Sequence, residues 1–236
     1  MFSRKLSLIL LLTLGLVGIP AFSQTWNAFN DFAGPVNPNG AWSYGYGTTG
    51  SSFTLYDMYV LNCFGGSLNC WQPTVNVIGT PNLVWNNTGN FVNFSTAVIP
   101  PGLTQHPGPS VDAITQWTAP LTGAYTISGF FQIADVNPSG IVGLVFENGT
   151  PLFQQELLGP PAQHPNTPGG IETFYFSALM LNAGDVISFG VNNDGNFLFD
   201  TTHFNATVTA VPEPGSMVLL ASGLVGVVGF LRRKLM

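Results

Sequence analysis

Carboxylate and amide side chains are concentrated between positions 193 and 200. The stretch Asn193-Asp194-Gly195-Asn196 is followed at a short distance by Asp200. Carboxylate, amide and backbone oxygens are the ligands that Ca²⁺ takes in proteins. The pattern therefore predicts a structural calcium site with Asp194, Asn196 and Asp200 as ligands. The alternative is that Asp194-Gly195 forms a simple turn, for which both residue types are suited.

Three aromatic residues, Trp42, Tyr44 and Tyr46, alternate along the Gly-flanked segment AWSYGY. Aromatic faces pack against the apolar faces of sugar rings, so this stripe is a candidate ligand surface for a polysaccharide. The alternative is that the alternating rings face a protein core, as we expect for Trp71, Trp85 and Trp117.

The chain has two cysteines, Cys63 and Cys70, which bracket the loop FGGSLN. Two glycines let such a short loop close, and an oxidising compartment would favour a disulfide between them. A metal site needs more ligands than one cysteine pair. We expect a Cys63–Cys70 disulfide.

The sequence lacks the motifs of common hydrolases. It has no Gly-x-Ser-x-Gly elbow and no His-Glu-x-x-His pair. A glycosidase would need two carboxyl groups about 5–10 Å apart, and a zinc site would need the scattered His106, His164 and His203 to converge. Only folding could assemble either, so the sequence predicts a protein without catalytic residues.

The elements that must position these residues read as short β-strands. GAYTISGFFQI places Tyr125, Ile127, Phe131 and Ile133 on one face, with the period of two that is typical of a strand. VISFGV and THFNATV alternate in the same way. Asn148-Gly149 joins two further runs as a type I′ hairpin dipeptide.

Eight to ten such runs are separated by turn residues about every ten positions, and helix-favouring Lys, Arg and Glu are scarce. We therefore predict an all-β fold: an antiparallel β-sandwich of jelly-roll type over residues 24–210. Residues 1–23 and 211–236 are predicted to flank it as a signal helix and a transmembrane helix.

All five basic side chains of the 236-residue chain lie at its two ends: Arg4, Lys5, Arg232, Arg233 and Lys234. The eleven acids lie between Asp31 and Glu213, so the body without Glu213 carries ten acids and no Lys or Arg, against a net charge of −6 for the whole chain. Nucleic-acid phosphates are bound through Lys and Arg. Nucleic-acid binding is therefore excluded for the body.

The amino-terminal residues have the pattern of a secretory signal peptide. A short basic region, Met1–Lys5, precedes the apolar Leu6–Ile19, and Ala21-Phe22-Ser23 supplies small residues before Gln24. The apolar stretch is shorter than the roughly 20 residues of a membrane span. We predict cleavage after Ser23 and export, with a retained anchor as the alternative.

The carboxyl-terminal residues combine a proline-flanked acid, an apolar run and a basic cluster. Pro212-Glu213-Pro214 precedes the uncharged Met217–Leu231, and Arg232, Arg233 and Lys234 follow. The positive-inside rule places this cluster in the cytoplasm and the body outside. The run is somewhat short for a permanent anchor, which favours processing over simple anchoring.

In these three features the carboxyl terminus resembles the PEP-CTERM sorting domain of exported bacterial proteins. The resemblance implies that a membrane-embedded exosortase recognises Pro212, Glu213 and Pro214, removes the tail and delivers the protein to the cell surface or an extracellular polysaccharide matrix. The catalysis would belong to the exosortase.

The segments NPNGAWSYGY (37–46), HPGPSVDAITQWTAPLTGAYTISGFFQ (106–132), ENGTPLF and LNAGDVISFGVNNDGNFLFDTTHFNATV resemble a β-sandwich module that recurs in secreted bacterial proteins. This resemblance implies a fold and a location and brings no catalytic residues. We predict a non-catalytic structural or polysaccharide-associated surface protein. A calcium-stabilised carbohydrate-binding module is the alternative, with a hydrolase behind it.

Overall fold

The computed structural model describes residues 23–64, 66–74, 79–212 and 223. Thr25–Ala210 form one compact unit. The predicted signal helix lies outside the described residues except for Ser23, and the predicted transmembrane helix lies outside them except for residues 211, 212 and 223. The part of the chain that is described has no helix able to cross a membrane.

The described residues form two large antiparallel sheets and a two-stranded ribbon. The larger sheet has eight strands: β1 (Thr25–Asn27), β4 (Met58–Cys63), β5 (Leu68–Gln72), β6 (Asn82–Asn86), β9 (Gly102–His106), β11 (Gly123–Ile133), β14 (Ile171–Leu181) and β16 (Thr202–Ala210). Their order in the sheet is β14-β11-β16-β9-β6-β5-β4, and β1 also pairs with β16.

The smaller sheet has six strands: β2 (Trp42–Thr48), β3 (Ser52–Leu55), β10 (Asp112–Thr118), β12 (Val142–Glu147), β13 (Thr150–Glu156) and β15 (Val186–Asn192). Their order in the sheet is β13-β12-β15-β10-β2-β3. The ribbon pairs β7 (Val92–Phe94) with β8 (Ala97–Ile99). From β9 to β16 the chain changes sheet at nearly every connection, so that strands adjacent in sequence face each other across the core.

The two sheets enclose a core rich in aromatic side chains. Phe189 of the smaller sheet lies with its ring centroid 5.7 Å from that of Phe174 and 5.5 Å from that of Phe204, both in the larger sheet. Trp117 and Tyr125 meet across the same interface at 5.1 Å. These contacts confirm the antiparallel β-sandwich, because in each pair one ring comes from the inner face of one sheet and the other ring from the inner face of the opposite sheet.

The predicted strand periodicity is confirmed in the main strands. Phe204, Ala206 and Val208 are buried, whereas the intervening residues of β16 are half-buried. Asn148 and Gly149 both have positive φ angles, of 46° and 87°, in the turn between β12 and β13. This is the backbone conformation that a type I′ hairpin requires.

The outer face of the larger sheet also carries a half-buried polar side chain, His203 of β16, whose Nδ1 is buried and has no hydrogen-bond partner among the described residues. The edge of its ring packs against Phe130 at 5.1 Å, and an added Cβ on Gly102 would lie 2.7 Å from His203 Nε2. Burial lowers the pKa of the His203 imidazole from 6.5 to about 4. The close approach of this ring and the φ angle of 135° at position 102 both favour glycine there.

Replacing Phe189 by alanine should lower the free energy of unfolding by about 3–5 kcal/mol, because it leaves a cavity where the two sheets meet. Urea denaturation monitored by tryptophan fluorescence measures the change. Leu121→Ala is the control: this side chain is 68% exposed, and its loss should change stability by about 0.5 kcal/mol or less. Equal effects of the two substitutions would contradict the core described above.

Acid should destabilise the wild-type protein more than a His203→Gln variant. The pKa of His203 is lower in the folded protein than in the unfolded chain. Between pH 6.5 and 4 the unfolded chain therefore takes up a proton that the folded protein does not, and the free energy of unfolding falls as the pH is lowered through this range. Between pH 7 and 4.5 the wild type should lose about 2 kcal/mol more than the variant. Urea unfolding at both pH values tests this, and parallel losses would argue against the neutral ring.

Candidate functional site

The predicted aromatic ligand surface on β2 is wrong. Trp42 and Tyr44 are buried in the core, and Tyr46 is half-buried with its ring stacked on Tyr56 at 5.7 Å. Burial raises the pKa of the Tyr44 hydroxyl well above its usual value, and the charge of Asp31 adds to the shift. The alternation reflects a strand whose inner face meets the opposite sheet, as the alternative interpretation held.

Cys63 and Cys70 lie on the neighbouring strands β4 and β5 and are both buried free thiols. Their mutual hydrogen bond, followed by burial, raises the pKa of the Cys70 thiol. The two thiols are therefore close enough to influence each other's ionisation, and their oxidation to a disulfide after export remains a prediction.

A second, smaller core covers the outer face of the larger sheet and creates a pocket beside it. The ribbon of β7 and β8 packs on this face through a set of buried apolar residues: Cys63, Leu68, Cys70, Val84, Ala97 and Ile99. Next to this core lies a cavity of about 260 Å³. The main sandwich is filled with side chains, so the pocket forms where the added ribbon does not fully cover the sheet.

Three phenylalanines line the pocket and remain partly in solvent. Phe64, Phe94 and Phe199 are 37%, 38% and 42% exposed, and the ring centroids of Phe64 and Phe94 are 4.9 Å apart. We call these three residues the aromatic rim. Exposed rings grouped around a cavity offer apolar faces to a ligand.

The backbone of the rim is strained. Phe64, Ser95 and Phe199 have φ angles of 57°, 52° and 66°, and all three line the pocket. Bulky residues rarely adopt this left-handed conformation, which costs on the order of 1–3 kcal/mol each and tends to occur at ligand sites. The surrounding structure thus holds two rings of the rim in positions that a relaxed backbone would not give them.

His164 supports the third ring of the rim. Its Nδ1 lies 2.9 Å from Asn93 Oδ1 and its Nε2 lies 3.1 Å from the backbone oxygen of Ser95. These two contacts fall on either side of Phe94 in the chain. The imidazole therefore fixes the turn of the ribbon that carries this ring.

The pocket is also lined by polar side chains: Thr80, Asn82, Ser95, Thr96, His106, Asp135 and Thr201. His106 Nδ1 donates to the backbone oxygen of Pro107 at 2.8 Å, and burial lowers the pKa of this imidazole although the Pro107 bond and the Asp135 charge oppose the shift. Thr201 donates to Asp135 Oδ2 at 3.2 Å. Burial raises the pKa of Asp135 against the hydrogen bonds that it accepts.

The aromatic rim and the polar lining together indicate which kind of ligand the pocket can bind. The rings supply flat apolar contact, and the hydroxyl, amide, imidazole and carboxyl groups can exchange hydrogen bonds with a polyhydroxylated ligand. No Lys or Arg occurs between positions 6 and 231 to bind an anionic group. A neutral sugar fits this combination better than a phosphate or an acidic ligand.

The predicted calcium residues lie in the loop that ends next to the pocket. Asp194 and Gly195 have φ angles of 42° and 91°, and Asn196 donates its backbone N–H to the Asn193 oxygen at 2.8 Å. The turn expected as the alternative is therefore present. The side chain of Asn196 accepts a hydrogen bond from the Leu198 N–H, at 3.2 Å.

The structure brings Asp200 against Ser139, a residue that the sequence analysis did not single out. The Ser139 backbone N–H and hydroxyl both donate towards Asp200 Oδ1, at 3.2 and 3.0 Å. Burial raises the pKa of Asp200 to about 7; the bonds from Ser139 oppose this shift, and the charges of Asp135 and Asp194 add to it. Among the described residues no three His, Cys, Asp or Glu side chains are grouped as a metal site, and the three histidines do not converge.

Sequence reasoning missed the aromatic rim. Its members are isolated phenylalanines in turn-rich segments, CFGG, VNFST and GNFLFD, where an apolar ring has no strand periodicity to explain it. Such rings are a usable signal for an exposed apolar site. Their grouping around one cavity depends on contacts between distant parts of the chain, which no local pattern contains.

Several solved structures match parts of the chain, but only loosely. The family 35 carbohydrate-binding module from Clostridium thermocellum is 17% identical, covers 58% of this chain and 86% of its own, and has a TM-score of 0.28. The CBM36-1 domain of a xylanase from the hindgut metagenome of Trinervitermes trinervoides is 11% identical (54% and 95% covered, TM-score 0.32). A cyclase from Fischerella sp. TAU is 12% identical (76% and 88% covered, TM-score 0.37). With TM-scores below 0.5, these three similarities support no inference about ligand or activity.

No curated protein matches the chain.

The carboxyl terminus, in contrast, matches a known family of sorting motifs. Pro212 is exposed, whereas Glu213, Pro214, Arg232, Arg233 and Lys234 lie outside the described residues. The resemblance found in the sequence is confirmed: residues 210–234 match the PEP-CTERM protein-sorting motif.

Proposed function

We propose that this protein is exported, sorted through its carboxyl-terminal motif, and retained at the cell surface or in the extracellular matrix, where its β-sandwich binds a neutral segment of polysaccharide without catalysis. An exosortase would recognise Pro212, Glu213 and Pro214 and remove the tail. Until then the chain would be held in the membrane, with Arg232, Arg233 and Lys234 on the cytoplasmic side.

The aromatic rim over a polar cavity carries the proposal for polysaccharide binding. The cavity of about 260 Å³ is just below the usual range for small-molecule sites, about 300–1,000 Å³. A few sugar units of a longer chain would rest on the rim, and a hydroxyl group could reach Asn82, His106 or Asp135. Because the rings project from the fold, this binding would require little rearrangement.

The charge of the body narrows the ligand further. After removal of both ends it carries ten acids and no Lys or Arg, so an acidic polysaccharide would be repelled unless cations intervened. A neutral or amino-substituted glycan would meet no such barrier. The body would then attach to the matrix through rings and hydrogen bonds rather than through ion pairs.

Two other functions make different predictions. A purely structural surface protein would show no saturable retention on glycans, and a hydrolase would release product. The pocket favours binding over a purely structural role, because its partly exposed rings offer apolar faces to a ligand. We also propose the jelly-roll class for the sandwich, since the changes of sheet along the second half of the chain are of the kind that this fold uses.

Removing rings of the rim should weaken polysaccharide binding without unfolding the protein. Phe94→Ala and Phe199→Ala each remove a partly exposed ring, and each should reduce affinity by about tenfold, because the ligand can no longer bury its apolar face against that ring. Affinity electrophoresis in gels containing the extracellular polysaccharide of the native host, with neutral xylan and β-glucan in parallel, measures retention.

Tyr175→Ala provides the matched control. Tyr175 is an exposed ring on β14, which does not line the pocket, so its loss should leave retention unchanged. If the two rim variants migrate like the wild type while their melting temperatures are normal, the pocket is not the binding site. Released reducing sugars in the same assay would instead indicate a hydrolase.

The protein recovered from the surface of its own host should lack the carboxyl-terminal tail. Intact-mass spectrometry should give a mass without residues 215–236, and trypsin should leave the denatured product whole because the body has no Lys or Arg. A Glu213→Ala variant should keep the tail, and Glu156→Ala should be processed normally. A mass that includes Arg232–Lys234 in the surface-located wild type would contradict sorting by cleavage.

A further inference from the structure

The three buried carboxylates of the body differ in how well they are satisfied. Asp112 accepts hydrogen bonds from the Thr49 N–H, the Thr49 hydroxyl and the Asn192 amide at 2.7–2.8 Å. Asp135 accepts from Thr201 at 3.2 Å and more weakly from the Asn137 N–H. Asp200 is fully buried, yet its Oδ2 has no hydrogen-bond partner among the described residues. A buried polar oxygen without a partner is rare and calls for a bound group.

Several oxygen atoms crowd around Ser139 Oγ, which contacts the other carboxylate oxygen of Asp200, Oδ1. Ser139 Oγ lies 2.6 Å from the backbone oxygen of Asn196, 2.6 Å from that of Leu198 and 3.0 Å from Asp200 Oδ1. A hydroxyl has one proton to donate, so it cannot satisfy three acceptors. Asp200 Oδ1 also accepts from the Ser139 N–H, so at least one of the two backbone oxygens needs another donor or a cation.

Asp194 adds a second carboxylate next to this cluster. An added Cβ on Gly140, the residue after Ser139, would lie 3.3 Å from Asp194 Cβ and 3.4 Å from its Oδ2. The charge of Asp194 also acts on Asp200. The loop at 139–140 and the loop at 194–200 thus meet with two carboxylates and two backbone oxygens, and the body has no Lys or Arg to balance them.

We propose that a calcium ion binds between these two loops, coordinated by the Asp200 carboxylate, the backbone oxygens of Asn196 and Leu198, and the Ser139 hydroxyl. Asp194 does not coordinate the ion directly; its negative charge attracts the ion from nearby or through a bridging water. Water molecules complete the six to eight ligands that Ca²⁺ takes. The ion would provide the unpaired oxygens with the positive partner that the protein lacks.

The ligand set favours Ca²⁺ over other metals. All four groups are oxygen donors, and two of them are backbone oxygens on a turn-rich loop, which tolerates the irregular geometry of Ca²⁺ better than the octahedral demands of Mg²⁺. Neither a thiolate nor an imidazole is part of the cluster, as a zinc site would require. This assignment differs from the sequence expectation, because Asn196 contributes its backbone oxygen and Ser139 replaces the side chain of Asn196.

Calcium would also affect the pocket. Phe199 and Thr201 flank Asp200 in the chain and both line the cavity, so an ion on Asp200 would hold the Phe199 ring of the rim in place. This consequence rests on the function proposed above, whereas calcium binding itself does not.

Melting of the exported protein in CaCl₂ and in EGTA tests the site. At a Ca²⁺ concentration about 100 times the Kd, the melting temperature should rise by about 5–10 °C for a domain of this size. Isothermal titration with CaCl₂ should give one ion per chain, and MgCl₂ at the same concentration should give a clearly smaller shift. No heat of binding and no shift in millimolar CaCl₂ would overturn the proposal.

Asp200→Asn separates a metal ligand from a structural residue. In EGTA the variant should melt at or above the temperature of the wild type, because it removes an unpaired buried carboxylate. In CaCl₂ the order should reverse, because the variant loses the calcium-dependent shift. A variant that melts below the wild type by the same amount in both conditions would contradict a calcium role.

Two further variants keep the test decisive if Asp200→Asn does not fold. Ser139→Ala removes one coordinating oxygen and should therefore weaken calcium affinity by about tenfold or more, whereas Glu156→Gln removes an exposed acid elsewhere and should bind like the wild type. Equal affinities of the Ser139 and Glu156 variants would overturn the assignment. Glycan retention measured in EGTA and in CaCl₂ distinguishes failure of the metal site from failure of the pocket.

Discussion

The absence of Lys and Arg from the body determines how its carboxylates can be held. A buried carboxylate in such a protein must accept hydrogen bonds from neutral groups, take up a proton or bind a cation. Asp112 follows the first route with three neutral donors. Asp200 has two donors on one oxygen and no partner in the described structure for the other. The same constraint disfavours anionic ligands, and the binding proposed for the pocket therefore relies on apolar rings and neutral hydrogen bonds.

The pocket exists because the fold has two cores. The first is the interior of the sandwich, which is filled by aromatic rings from both sheets and leaves no room for a ligand. The second is formed where the ribbon of β7 and β8 lies on the outer face of the larger sheet. A two-stranded ribbon is too small to cover that face, so a cavity remains at its side. The backbone at Phe64 and Phe199, with φ angles of 57° and 66°, then places two partly exposed rings at the opening.

Export and composition are connected through the location of charge. The basic residues are confined to the two ends, which hold the predicted signal peptide and the PEP-CTERM motif, and the body between them is anionic. Outside the cell the body would need no basic side chain to pair with Asp200 if the proposed calcium ion takes that place. The fold, the sorting motif and the proposed ion thus fit one environment.

Local patterns were sufficient for the strand content of the body and for the nature of its ends. The period of two in β11, β15 and β16, the Asn148-Gly149 turn and the Pro212-Glu213-Pro214 motif depend on neighbours in the chain, so the sequence alone determined them. It could not decide which face of β2 is buried, because alternation is the same whether Trp42 and Tyr44 point into the core or into solvent. Nor could it assemble the aromatic rim or place Ser139 against Asp200, 61 residues away. Those contacts were decided by the pairing of distant strands and the packing of a ribbon on a sheet, which are properties of the tertiary structure.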